Sequence, residues 1–145
     1  MQTLRITIQT EPSPKLRPRT TFQFGRARTY TPQRTKDAED FIRAKILKHK
    51  EHGFPAHVPL KLTCTFFRTK SQYLPKYETL PYRKPDIINF ASLLCDSLSK
   101  ILYDDDAQIT TIVAKKRWSK DGTGHINIKL EEDKLQNEDN QESTD

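Results

Sequence analysis

Leu4, Ile6 and Ile8 alternate with polar neighbours, the period of a strand with one buried face, and the same alternation returns at Val58, Leu60, Leu62, Cys64 and Phe66. Between these runs, Ala38, Phe41, Ile42 and Ile46 fall at helical spacing and predict a buried stripe on a helix over residues 35–53. Thr35 is placed to cap it, Asp37, Glu39 and Asp40 lie in its first turns, lysines crowd its end and Gly53 stops it, the charge order that a helix dipole favours. Phe90, Leu93, Leu94, Leu98, Ile101 and Leu102 share a second apolar arc, which predicts a helix over residues 85–102 with Pro85 in its first turn. Asn89, Ser92, Asp96 and Ser99 occupy the opposite, polar arc. Two more strand-like runs, 108–118 and 124–130, are joined by "SKDGTG", whose Asp121-Gly122 is a hairpin signal.

Two segments show no period. Residues 11–35 are rich in Pro and Arg around Gly25, and read as a loop or irregular hairpin carrying positive charge. Residues 69–84 hold two prolines, three tyrosines and four basic residues, and read as an exposed, mobile loop. The order β, basic loop, α, β, α, β, β predicts one two-layer α/β (α+β) domain over residues 1–130, a mixed four-stranded sheet with two main helices on one face.

Charge changes the picture. The net charge of +6 conceals an asymmetry, because residues 131–145 contain seven acids and one lysine. The preceding 130 residues therefore carry 24 basic against 12 acidic side chains. A body of that sign attracts polyanions, and the alternative is a merely soluble basic surface. The segment 131–145 has no apolar residue beyond Leu135 and reads as a disordered acidic tail. No apolar run is long enough to span a bilayer, the first residues do not begin a signal peptide, and Cys64 and Cys95 sit inside apolar patterns. Two reduced core thiols and a cytoplasmic location are the expectation.

The remaining chemistry is acidic. "KPDIINF" (84–90) opens the second helix with Asp86, and "LYDDDAQI" (102–109) follows it with Asp104, Asp105 and Asp106. Taken singly, these are a helix cap and a polar turn, with Asp96 a surface acid between them. Taken together, three adjacent aspartates repel one another, and a bound Mg²⁺ would offset that repulsion. Asp86 and the later acids stand about a helix length apart along the chain, so a common site needs crossing elements or a second copy.

Two stretches resemble the RusA-type Holliday junction endonucleases, small phage and bacterial resolvases. "KLRPRTTFQFGRARTYTPQRT" (15–35) is similar to the family's K-x-R-P-R … Y-T-P-x-x-T opening, and "KPDIINF … LYDDDAQI" to its K-P-D-x-D-N-L … D-D-x-Q-I. The resemblance implies a RusA-like fold and a homodimer that binds four-way DNA junctions and nicks two strands symmetrically with Mg²⁺, Mn²⁺ being an alternative. By position it implies Asp86 and Asp106 as catalytic metal ligands and Asp105 as a ligand or water-positioning acid. Asn89 matches the family's asparagine, and Asp96 and Asp104 are supporting acids. Two positions depart: Ile88 stands where the family has its second aspartate, and Ser92 where some members have a lysine. An aliphatic side chain cannot ligate a metal, so a junction-binding protein without cutting activity is the competing reading.

Lys15, Arg17, Arg19, Arg26 and Arg28 in the first loop, Lys70, Lys76, Arg83 and Lys84 in the second, and Lys116 beyond are the candidate phosphate contacts. Phe22, Phe24, Tyr73 and Trp118 are candidate wedges for a junction centre, with Phe24 and Trp118 expected instead to pack in the core. The four histidines form no zinc pattern, an acid-x-Lys strand that would complete a different P-D nuclease motif is missing, and no aromatic RNP-like strand supports RNA binding.

Overall fold

The structure, a computed structural model, describes residues 2–135. Its elements are β1 (Thr3–Ile8), β2 (Arg19–Gln23), β3 (Arg26–Tyr30), α1 (Gln33–Ile46), β4 (Leu60–Arg68), α2 (Ile87–Leu98), β5 (Ile109–Trp118) and β6 (His125–Glu132). Four strands form one mixed sheet in the order β1-β6-β4-β5, and β2 pairs only with β3. The neighbours of β6 are antiparallel to it, whereas β4 and β5 are parallel, with α2 as the crossover between them. The expected two-layer α+β domain is therefore present.

Alternation decides which face is covered. Leu60, Leu62, Cys64 and Phe66 of β4, Ile126, Ile128 and Leu130 of β6, and Ile6 and Ile8 of β1 are buried against Ile42 and Ile46 of α1 and Phe90, Leu93, Leu94 and Leu98 of α2. The Phe66 and Phe90 rings stack at 5.3 Å. Each such side chain contributes about 2 kcal/mol on leaving water, enough to make α2 a fixed rod on the sheet. Cys64 and Cys95 are free, and burial pushes their thiols up to about 12 and about 11, out of the reactive range.

Several local expectations are corrected. β5 and β6 are not a hairpin: β4 lies between them, and the turn at Asp121-Gly122 carries the chain across its end. Strand order depends on packing partners that a turn dipeptide does not specify. α1 starts earlier than expected, with Pro32 at the N-cap; Thr35 is buried inside the helix, where its hydroxyl accepts from the Leu16 N–H at 3.1 Å. Phe41 leaves the predicted buried stripe and is 42 % exposed beneath the Lys45 ammonium.

α2 is shorter than predicted at both ends. Asp86 and Ser99 are extended, and Lys100 has φ 70, which ends the helix before Ile101 and Leu102 pack in the following turn. The segment 69–84 has no regular structure, yet it is organised around buried Glu78. The Glu78 carboxylate accepts from Arg83 and Tyr82, and its carbonyl from Lys70 Nζ and the Trp118 indole N–H. β6 runs past the expected boundary at residue 130, and the Asp133 carboxylate accepts from the Thr110 and Thr111 hydroxyls. The rest of the predicted tail, 136–145, lies outside the described residues.

Candidate nuclease site

The two ends of α2 carry different chemistry. At its start the Lys84–Pro85 peptide is cis and Asp86 is the N-cap, with the N–H groups of Asn89 and Phe90 bonded to its backbone carbonyl. The Asp86 side chain makes no capping hydrogen bond, so among the described residues an exposed carboxylate without a hydrogen-bond partner stands at the positive end of the helix. Lys116 of β5 reaches under this segment and donates to the carbonyls of Arg83 at 3.0 Å and Pro85 at 2.9 Å. Burial and the nearby Arg68 lower the Lys116 pKa, and Asp86 opposes them. Lys116 thus serves the backbone that presents Asp86, and it brings an ammonium to this end of the helix although position 92 is serine. Ile88 is 75 % exposed beside it, and Asn89 is exposed as well.

At the far end, Asp96 and Asp106 line one cleft together with Lys15, Glu39, Arg43 and Ser99. Lys15 Nζ pairs with the Asp96 carboxylate at 2.7 Å, and Arg43 donates to the Asp96 carbonyl at 2.7 Å. The Tyr103 hydroxyl stands 2.7 Å from the Cys95 carbonyl and 2.9 Å from Asp106 Oδ1. Partial burial and the Asp96 charge hold the Asp106 carboxyl above its ordinary range, against the pull of Tyr103. Glu39 is raised by burial and then by Asp96, and Lys15 is raised by its bond to Asp96.

The three adjacent aspartates are given separate partners. Asp104 pairs loosely with Lys100 at 3.7 Å. Asp105 caps a short 3-10 turn (Asp106–Gln108), accepting from the Ala107 N–H. Gln108 locks this turn, accepting from the N–H groups of Asp104 and Asp105 while donating to the carbonyls of Pro55 and Val58. Their mutual repulsion therefore does not by itself require a cation.

Distance decides how these acids can cooperate. Ten residues of helix separate Asp86 from Asp96, or about 15 Å at ~1.5 Å per residue. Two oxygens on one Mg²⁺ lie within about 4 Å of each other. Among the described residues no group of three or more His, Cys, Asp or Glu could hold a metal within one chain. The Asp96–Asp106 pair has the donor chemistry for a hard cation, with two crowded carboxylates; Asp86 offers a third, on the other end of the rod.

The sequence matches the endodeoxyribonuclease RusA family over residues 9–131. The chain belongs to the RusA family. It is 36 % identical over 77 residues to the crossover junction endodeoxyribonuclease rusA of Lactococcus phage r1t, covering 52 % of this chain and 58 % of that protein. It is also 20 % identical over 138 residues to the uncharacterized protein YqaN of Bacillus subtilis (strain 168), covering 89 % of this chain and 97 % of the relative. The RusA-family match spans both the basic hairpin and the two acidic ends of α2.

The candidate DNA contacts divide by environment. Arg17, Arg19, Arg26 and Arg28 are exposed, as are Lys76 and Lys84. Lys15, Lys70, Arg83 and Lys116 are engaged with Asp96, the Glu78 carbonyl, the Glu78 carboxylate and the backbone before Asp86, respectively. Sequence reasoning missed Tyr103, Glu39, Arg43 and Gln108. The three-residue spacing of Tyr103 and Asp106 is the one local signal that pointed to the first of them.

The crowding at Asp106 has a thermodynamic sign. A carboxyl raised on folding binds its proton more readily in the folded state, so stability falls as pH rises from about 4 through the raised value. Asp106→Asn keeps a carbonyl oxygen for Tyr103 and removes the charge. We expect its melting temperature at pH 7 to rise by about 1–3 °C, with the gain shrinking toward pH 4. A variant melting below wild type at pH 7 contradicts the crowding.

Proposed function

We propose that this chain is a metal-dependent endonuclease that resolves four-way DNA junctions by paired nicks, working as a homodimer in the cytoplasm. The observation that carries the reading is the uncapped Asp86 carboxylate at one end of α2, with paired Asp96 and Asp106 at the other, in a chain of the RusA family. Neither end completes a site alone, so in the proposed dimer Asp86 of one copy joins Asp106 and Asp96 of the other. Mg²⁺, or Mn²⁺, held there would supply Lewis-acid stabilisation of the phosphate and a nucleophile at neutral pH. The chain's own groups do the positioning: Lys116 holds the Asp86 backbone, Tyr103 and Lys15 set the two far acids, and the exposed arginines of β2 and β3 take phosphates. Asp105, expected from the resemblance as a ligand or water-positioning acid, joins Asp104 as a supporting acid in this reading, because their carboxylates face the turn and Lys100.

A second reading rests on Ile88. An exposed aliphatic side chain beside Asp86 gives a protein that grips junctions without cutting them. Cleavage of a synthetic four-way junction, with linear duplex as control and with EDTA, separates the two. Symmetric, metal-dependent cuts support the nuclease; tight junction binding without cuts supports the second reading. With about six phosphates neutralised, log K should fall against log salt with a slope of about −5. A flat salt response would remove DNA from both readings.

A further inference from the structure

β2 and β3 form a two-stranded ribbon that packs on no other element to a comparable extent, although isolated hairpins are marginal in water. Its two faces differ. Directly opposed residues share a face, so the pairs Arg19–Tyr30, Thr21–Arg28 and Gln23–Arg26 put three arginines and a tyrosine on one side. The pairs Thr20–Thr29 and Phe22–Ala27 leave the other side uncharged, with Phe22 77 % exposed. Residues 12–36 contain seven basic side chains and no acidic one.

The tip is the unexpected part. Phe24 and Gly25 form the turn with φ 53 and φ 75, a conformation that suits Asn-Gly or Gly-Gly and not an aromatic residue. Phe24 is fully exposed at 102 %, so it gains no burial in return. A residue that opposes its own turn and packs on nothing among the described residues has no folded-state role there. Strain of this kind collects at functional positions.

We propose that the β2–β3 ribbon is a junction-opening finger: Arg19, Arg26 and Arg28 lie along the phosphates of one DNA arm, and Phe24 stacks on a base exposed at the branch point. The inference deepens the junction-nuclease reading and rests on it. One ribbon face is arginine-rich, which suits DNA phosphates, and a two-stranded ribbon has the width of the major groove. Apolar wedges between base steps are a known means of opening a duplex, and a branch point, already partly unstacked, is the easiest place to insert one.

The test uses full-length protein and a four-way junction carrying 2-aminopurine at the branch point, with a second junction labelled within an arm. Wild type is expected to raise fluorescence at the branch and not in the arm. Phe24→Asn, which suits the turn better, is expected to melt no lower than wild type. It should lose the branch signal and about tenfold of the preference for junction over duplex, with Phe24→Trp restoring both. Replacing Arg19, Arg26 and Arg28 with Gln should make the salt slope shallower by about 2.7. A Phe24→Asn variant with the full branch signal and preference overturns the finger alone. A wild-type protein with no preference for junctions overturns the finger together with the function it rests on.

Discussion

Mixed dimers of Asp86→Asn and Asp106→Asn subunits are expected to nick one strand of a junction, while either variant alone cuts neither. Asp86 and the Asp96–Asp106 pair stand about 15 Å apart, several times the span of ligands around one ion. The helix between them is fixed by Phe90, Leu93, Leu94 and Leu98, all buried, so bending it to join the acids would break the core. If the acids act together they do so across two copies. In a mixed dimer, one site then carries both substitutions and the other carries neither. Losing charge stabilisation of several kcal/mol lowers cleavage by about 10³-fold or more in each pure variant. Co-expressed, differently tagged subunits would show the restored nick on a denaturing gel. If each site instead drew on one chain only, every site of the mixed dimer would be broken, and no nick would appear.

The layer architecture was legible because burial of one sheet face leaves a period of two in β4 and β6, and Phe90, Leu93, Leu94 and Leu98 mark the buried face of α2, although Ile101 and Leu102 of the same arc lie beyond its end. The strand order was not legible. Asp121-Gly122 reverses the chain wherever it stands, and only the packed sheet shows that β4 separates the strands it links. Phe24 was misread for a related reason. A Phe among polar residues reads as core by residue type, yet its exposure follows from the ribbon standing clear of the sheet, which no local pattern records.

At the site, the acids and their distance along the helix could be read from spacing. Their partners could not. Tyr103 and Gln108 act through single hydroxyl and amide groups on a turn whose path is set by the end of α2 at Lys100. Lys15 reads as a free cation in a basic stretch. Its engagement with Asp96 depends on the loop crossing α2, where the Lys15 N–H bonds to the Asn89 carbonyl.

Ile88→Asp is expected to raise cleavage about tenfold or more at limiting metal, since affinity at such sites follows ligand charge. The fold should tolerate the change. Ile88 is already mostly in water, so removing it sacrifices little burial, and an acid in the first turn of α2 meets the positive end of the helix dipole. The direction of a metal titration therefore reports the site and not the scaffold: its midpoint should move to lower concentration while thermal unfolding without metal stays level or rises slightly. An unmoved midpoint with unchanged cleavage would mean that position 88 does not face the ion, and that the hole in the acidic set is apparent only. If wild type binds junctions but cuts only after this substitution, the exposed isoleucine is what separates a gripping protein from a cutting one.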